Sequence, residues 1–214
     1  MRIIGGRARG HRLASPPGET ARPTGDRVRE ALFNIWGQDL GGLRLLDVCS
    51  GSGAIALEAL SRGAAGVVAI EIDAALCRQI EQEARRLGLS EGLRVIRGDA
   101  RREIARLRGE GAPAFDLAFV DPPWREAALR RELVEALFGR APLCLGAAVE
   151  CPRREKELPS PPGARLIRRE RYGETVLLFY EAGGLPPGDA SRGSQETSGS
   201  GEEHISLRGF SDKA

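Results

Sequence analysis

Between Leu43 and Tyr180 the chain alternates two hydrophobic patterns. Short runs dense in Val, Ile, Leu, Ala and Phe read as strands: Leu43–Cys49, Val67–Ile70, Leu93–Ile96, Phe115–Val120 and Ala147–Cys151. The intervening segments Ala54–Arg62, Ala74–Leu87, Ala100–Leu107 and Arg125–Phe138 place their apolar residues at helical spacing. Strands separated by helices predict parallel pairing with helices on both faces. Two last runs, Arg165–Arg171 and Thr175–Tyr180, are separated only by Tyr172-Gly173-Glu174, so they pair as an antiparallel hairpin. The expected architecture is α/β: a Rossmann-like sheet, mostly parallel, with an antiparallel C-terminal hairpin strand.

The two ends follow different patterns, which divides the chain into 1–25, 26–181 and 182–214. Residues 1–25 are basic and rich in Gly and Pro. Arg2-Ile3-Ile4 and His11-Arg12-Leu13 flank a glycine-rich stretch, which predicts a short β-hairpin arm. Thr24 is positioned to cap a helix running to about Trp36. Val28, Leu32, Ile35 and Trp36 form its core-facing stripe, and Arg27 and Arg29 fall on other faces. From Gly183 onward the composition turns to Gly, Ser, Pro and acidic residues, which predicts a disordered tail.

Composition removes several function classes. The 214 residues are 41% hydrophobic and 29% charged, and no apolar run approaches the ~20 residues of a membrane span. The start, Met1 to Arg7, turns polar at once and predicts no signal peptide, so the expected compartment is the cytoplasm. Cys49, Cys77, Cys144 and Cys151 form no Cys-x-x-Cys pair, and His11 and His204 lie far apart in sequence. That predicts reduced thiols, no metal site and no His-dependent hydrolase. The net charge of +2 conceals an uneven spread. Residues 1–30 hold seven Arg against Glu19, Asp26 and Glu30, whereas 181–214 hold three basic and six acidic residues.

Four features carry chemistry. Asp47-Val48-Cys49-Ser50-Gly51-Ser52-Gly53 sits where the first strand hands over to a helix. Gly51 and Gly53 let the chain turn tightly and let a ligand approach the main chain, as in a nucleotide cradle. A plain tight turn explains the glycines equally well when they are taken alone. Glu71, at the end of the second strand, can accept both ribose hydroxyls, and Asp73 is placed to cap the next helix. Asp99, after the third strand, can accept from an adenine amino group or cap a helix. These three features also fit a dinucleotide. Asp47 tips the balance towards a cationic ligand such as a sulfonium carrying an amino-acid group.

The fourth feature is Asp121-Pro122-Pro123-Trp124, directly after the fourth strand. Two prolines remove two N–H groups and fix the backbone. The Asp121 carboxylate and the Pro122 carbonyl can then accept together from one exocyclic –NH2. Such an amine is a poor nucleophile, and two acceptors aim its lone pair at an electrophilic methyl. Trp124 can stack on an extruded base.

Together these motifs resemble class I, S-adenosylmethionine-dependent amino-methyltransferases. More specifically, the chain resembles the RsmD family of bacterial 16S rRNA guanine-N2 methyltransferases over about residues 1–181. The distinctive segments are Arg2-Ile3-Ile4-Gly5-Gly6, Arg22-Pro23-Thr24 with Asp26–Asn34, and Leu57-Glu58-Ala59-Leu60-Ser61-Arg62-Gly63-Ala64. The chain departs from the family at two places: Cys49-Ser50 replaces Phe-Ala, and Trp124 replaces Phe or Tyr.

The resemblance implies a class I methyltransferase sheet that binds S-adenosylmethionine through Asp47, Ser50, Gly51, Gly53, Glu71, Ile72, Asp99 and Ala100. It implies catalysis at Asp121, Pro122, Pro123 and Trp124 without a metal. The partner it implies is 16S rRNA in the small ribosomal subunit or an assembly intermediate, met by a monomer away from any membrane. Arg2, Arg7, Arg9, Arg12, Arg22, Thr24, Arg27 and Arg29 are then the candidate RNA contacts. The alternatives are another base (adenine N6 or cytosine N4), a non-catalytic RNA-binding assembly factor, and a nicotinamide-dependent oxidoreductase, which leaves Asp47 and Asp121 without a role.

Overall fold

The computed structural model describes residues 1–14, 25–108, 114–139, 141–155 and 161–183. In chain order its elements are α1 (Asp26–Trp36), β1 (Arg44–Val48), α2 (Ala54–Ser61), β2 (Gly66–Glu71), α3 (Ala74–Arg86) and β3 (Leu93–Arg97). Then follow α4 (Ala100–Arg108), β4 (Phe115–Val120), α5 (Ala127–Phe138), β5 (Cys144–Pro152), β6 (Ala164–Tyr172) and β7 (Thr175–Ala182). They build one seven-stranded sheet in the order β3-β2-β1-β4-β5-β7-β6. Neighbours from β3 through β5 are parallel, and β7 runs antiparallel to both β5 and β6. The expected α/β class and closing hairpin are therefore present.

The parallel strands are apolar on both faces because both faces are covered. Leu45, Leu117, Phe119 and Ala148 pack with α1 and α2. Leu46, Val48, Ala118 and Val149 pack with α4 and α5 on the other side. Trp36 meets Phe119 edge-on at 6.4 Å, which seats the end of α1 on the sheet. Several boundaries differ from expectation by a residue or more, the furthest being the starts of β5 and α5 and the end of β7. β5 starts at Cys144 because Gly146, which weakens the sequence pattern, still pairs with Leu117 and Glu181. The helix expected from Arg125 starts at Ala127, since the Glu126 N–H is used in a turn to the Pro123 carbonyl at 2.8 Å.

The N-terminal arm is part of the same core. Ile3, Ala8 and Leu13 are buried with α1 and α2. Its hairpin is a single antiparallel bridge, Arg2 to Arg12, closed by Ile3 N–H to His11 O and Gly10 N–H to Ile3 O, both at 2.9 Å. The weld is the carboxylate of Glu58 on α2, which is 0% exposed. It accepts from the N–H groups of Ile4 (2.8 Å) and Gly5 (2.6 Å) and from Arg62 Nε (2.9 Å). Ser61 adds two bonds, accepting from Ala8 N–H and donating to Gly5 O. Gly6 has φ +71°, and a Cβ there would overlap the Ser61 carbonyl. The segment Leu57–Ala64 is thus the socket for the arm.

That docking overturns one expectation. Arg29 is 0% exposed, so it does not face RNA. The arm covers its side of α1, and its guanidinium donates to the Arg2 carbonyl and to Asp26, both at 2.7 Å. Burial pushes its pKa down. The cap position of α1 is Gly25, which makes no side-chain bond. Arg22, Thr24 and the tail from residue 184 lie outside the described residues.

Glu58→Ala is expected to cost roughly 3–5 kcal/mol in urea unfolding, because Arg62 and two N–H groups lose a buried partner. Arg9→Ala, at an exposed position, is expected to stay within about 0.5 kcal/mol of the unsubstituted protein.

Candidate active site

The strand order reverses between β1 and β4, and in open α/β sheets ligands bind at that switch, beyond the carboxyl ends of the strands. The loop after β1 occupies it. Three nearby residues there have left-handed backbone: Cys49 (φ 61°), Gly51 (φ 55°) and Gly53 (φ 72°). Gly53 must be glycine for space as well, since a Cβ would meet Ile80 Cγ1 at 2.6 Å. At Gly51 nothing lies within 4 Å of an added Cβ, so that turn opens onto free space. A left-handed non-glycine residue is uncommon, and among the described residues Cys49 is the one such position.

Four carboxylates converge on this loop. The Cys49 thiol is pushed up to about 12 by burial first, and then by the charges of Glu71, Asp121, Asp47 and Asp99. Each is held differently. Asp47 is buried, its Oδ2 accepts from Ala56 N–H at 3.2 Å, and burial pushes its pKa up to about 7. Glu71 accepts from Gly51 N–H (2.8 Å) and Asp73 N–H (2.9 Å), which locks the carboxylate beside the loop. Asp73 caps α3 through Ala75 and Leu76. Asp99 caps α4, accepting from Arg101 N–H at 3.0 Å, and pairs with the Arg101 guanidinium. Those contacts hold its pKa below the usual range.

Asp121 stands next to β1, its N–H donating to Val48 O at 3.3 Å. Pro122 is buried, Pro123 is exposed and Trp124 is half-buried. Among the described residues no backbone N–H takes the Pro122 carbonyl, whereas that of Pro123 is used by Glu126. Ser50 donates to the Asp47 carbonyl at 2.8 Å, and Ala100 opens α4. Ile72 is 67% exposed beside Glu71, an apolar side chain presented to solvent at the rim. The structure therefore gathers Asp47, Ser50, Gly51, Gly53, Glu71, Ile72, Asp99, Ala100 and Asp121–Trp124 along one edge.

The arginines of the arm are dispersed. Arg7 and Arg9 sit at the hairpin tip, where Arg7 N–H donates to Ser61 O and its side chain to Gly88 O. Those partners mark the C-terminal ends of α2 and α3, at the opposite edge of the sheet from the loop. The tip is thus about 12 Å away, the length of α2. Arg2 and Arg12 lie between, at the bridge, and Arg27 opens α1 at the loop edge.

A doubly wound sheet whose switch point carries this glycine loop, strand-end carboxylates and an Asp-Pro-Pro-Trp turn is a class I methyltransferase fold. The family model described as conserved hypothetical protein 95 matches residues 1–181. The chain belongs to that family, the RsmD family. It is 36% identical over 183 residues to the ribosomal RNA small subunit methyltransferase D of Escherichia coli K12, covering 85% of this chain and 89% of that one. A solved Escherichia coli structure superposes with a TM-score of 0.72 at 36% identity, over 86% of this chain and 98% of that one. A hypothetical protein from Thermus thermophilus gives 0.70 at 32% identity, over 85% and 99%.

Asp47 contributes stability below about pH 4 that is lost as the pH rises through about 7, since the folded state favours its protonated form. Asp47→Asn is therefore expected to raise apoprotein stability at pH 8 by roughly 2–4 kcal/mol relative to the unsubstituted protein, with the gap closing towards pH 4. Urea unfolding across pH 4–8 checks it; a constant gap would exclude Asp47 as the titrating group.

Proposed function

We propose that this chain transfers a methyl group from S-adenosylmethionine to the exocyclic N2 of a guanine in 16S rRNA of the small ribosomal subunit. The observation that carries the reading is the Asp121–Trp124 turn standing at the switch point beside the Gly51 loop. Relatives named for small-subunit rRNA methylation, matched over most of their length, support the substrate class.

The residues fit the cofactor. The open space at Gly51 admits a ligand against the main chain. Glu71, already anchored by two N–H groups, keeps lone pairs for the ribose hydroxyls, and Ile72 offers an apolar surface to the adenine. Asp47 sits where a cationic amino-acid group would be neutralised, and such a cation would draw its pKa back down. When bound, S-adenosylmethionine supplies an electrophilic methyl on sulfur and leaves as S-adenosylhomocysteine.

The rest of the chemistry belongs to the protein. Asp121 and the Pro122 carbonyl accept the two N2 hydrogens and draw the nitrogen towards tetrahedral geometry. The N2 lone pair would thereby be aimed at the methyl carbon, the new C–N bond replacing the S–C bond, and the proton lost from N2 would pass to Asp121 or water. Trp124 stacks on the extruded guanine.

Labelled methyl transfer to small subunits lacking base methylation, followed by nucleoside analysis, is expected to give N2-methylguanosine. Recovery of N6-methyladenosine or N4-methylcytosine would overturn the base assignment. Asp121→Ala is expected to lower kcat by roughly 10²–10⁴-fold with cofactor affinity nearly unchanged. Normal turnover in the folded variant would remove Asp121 from the mechanism.

A further inference from the structure

The arm was the expected RNA platform, yet its tip arginines point away from the reacting edge and Arg29 is buried. The opposite flank of the site supplies what the arm does not. Val120 at the end of β4 pairs with Val149, but β5 continues through Glu150 and Cys151 to Pro152. β7 and β6 follow it, with Pro152 opposite Thr175 and Tyr172 closing the hairpin turn. Three further residues at about 3.3 Å each make this hairpin a wall standing roughly 10 Å above the β4 end, on the Asp121 side of the pocket.

The crest of that wall is basic. Arg153 and Arg154 leave β5, and Arg171 precedes the turn; all three are exposed. Arg153 N–H donates to Glu174 O at 2.7 Å, which ties the β5 exit to the turn. Arg27 approaches from α1, and its charge, with that of Arg168, acts on the Tyr172 hydroxyl. The acidic groups among them are Glu170, paired with Arg168; Glu174, which meets Arg153 only at 3.8 Å with both side chains solvated; the exposed Glu30, one turn along α1 from Arg27; and Asp26 and Glu155, which pair with the buried Arg29 and Arg130. Five arginines thus stand against three glutamates, with Asp26 and Glu155 offset by Arg29 and Arg130, beside a pocket that is itself lined by carboxylates. An anion arriving at this edge is repelled from the pocket floor and drawn to the crest.

We propose that the β6–β7 hairpin crest, with Arg153, Arg154, Arg171 and Arg27, is the surface that grips the RNA backbone flanking the target base. The inference rests on the reading of the site as an RNA methyltransferase. Phosphates held there leave the base free to turn over the Asp121 loop, one to three strand spacings away, about 5–15 Å. Exposed arginines neutralise phosphates with salt-dependent affinity and no sequence preference, so sequence choice stays with the pocket.

The test compares the full-length protein with R153Q/R154Q/R171Q and with R7Q/R9Q. The probes are naked 16S rRNA for binding and unmethylated small subunits for turnover. Cofactor binding by calorimetry is expected to stay within about twofold in both variants, showing that the pocket is folded. The crest variant is expected to flatten the slope of log affinity against log salt by about 2, since each lost phosphate contact removes roughly 0.7–0.9. Its KM for subunits should rise at least tenfold with kcat within threefold. R7Q/R9Q is expected to change the slope by less than the crest variant. A crest slope change below 1, or a larger change in R7Q/R9Q, overturns the proposal. If the unsubstituted protein binds RNA but methylates none, the reaction assigned to the site fails while the slope comparison still decides the crest. If it binds no RNA, both fall.

Discussion

Crowding of carboxylates at one sheet edge is the constraint around which the rest of the structure is arranged. Asp47, Glu71, Asp99 and Asp121 all lie close enough to act on one thiol, that of Cys49. Like charges at that spacing repel, and burial makes Asp47 still costlier to ionise. Main-chain N–H groups offset the cost. Ala56 serves Asp47, Gly51 and Asp73 serve Glu71, and Arg101 serves Asp99. Several of those donors exist only because the loop turns through left-handed backbone at residues 49, 51 and 53 and because helices begin at residues 54 and 100. The result is an edge where four carboxylates crowd together and the buried one, Asp47, resists ionisation.

A second anchor works at the other end of the sheet. Glu58 and Ser61 hold the N-terminal arm against α2, and Arg62 completes the set with its guanidinium 4.7 Å from the Phe33 ring centroid. A family match that starts at residue 1 is consistent with an arm that shares the core. Fixing the arm this way also fixes where its charges go. The hairpin tip belongs to the amino edge, so positive charge at the carboxyl edge comes from other segments: Arg101 beside Asp99, the exposed Arg125 after Trp124, the start of α1 and the β6–β7 hairpin. The carboxylate-rich loop edge is thus bordered by a basic hairpin crest.

The sequence by itself determined the order of strands and helices, because burial on both sheet faces requires apolar runs whose lengths are visible in the chain. It also shows which loops meet at the switch-point edge, since glycines, strand-end acids and paired prolines act through their own backbone positions. The apolar run Phe115–Val120 is β4 residue for residue, and the place of Asp73 directly before α3 is enough to make it the cap. What the tertiary structure decided were the consequences of contacts between distant segments. Arg29 lay off the apolar stripe of its helix, and only the arm packing over it made it a buried strut. Gly146 hid the start of β5 until its partners on β4 and β7 were known. Arg7 and Arg9 looked equivalent to Arg27 as charges, but docking to Ser61 and Gly88 carried them to the far edge. Periodicity reports which residues are buried somewhere; which neighbour buries them, and therefore where the remaining charges face, depends on long-range packing that no local pattern encodes.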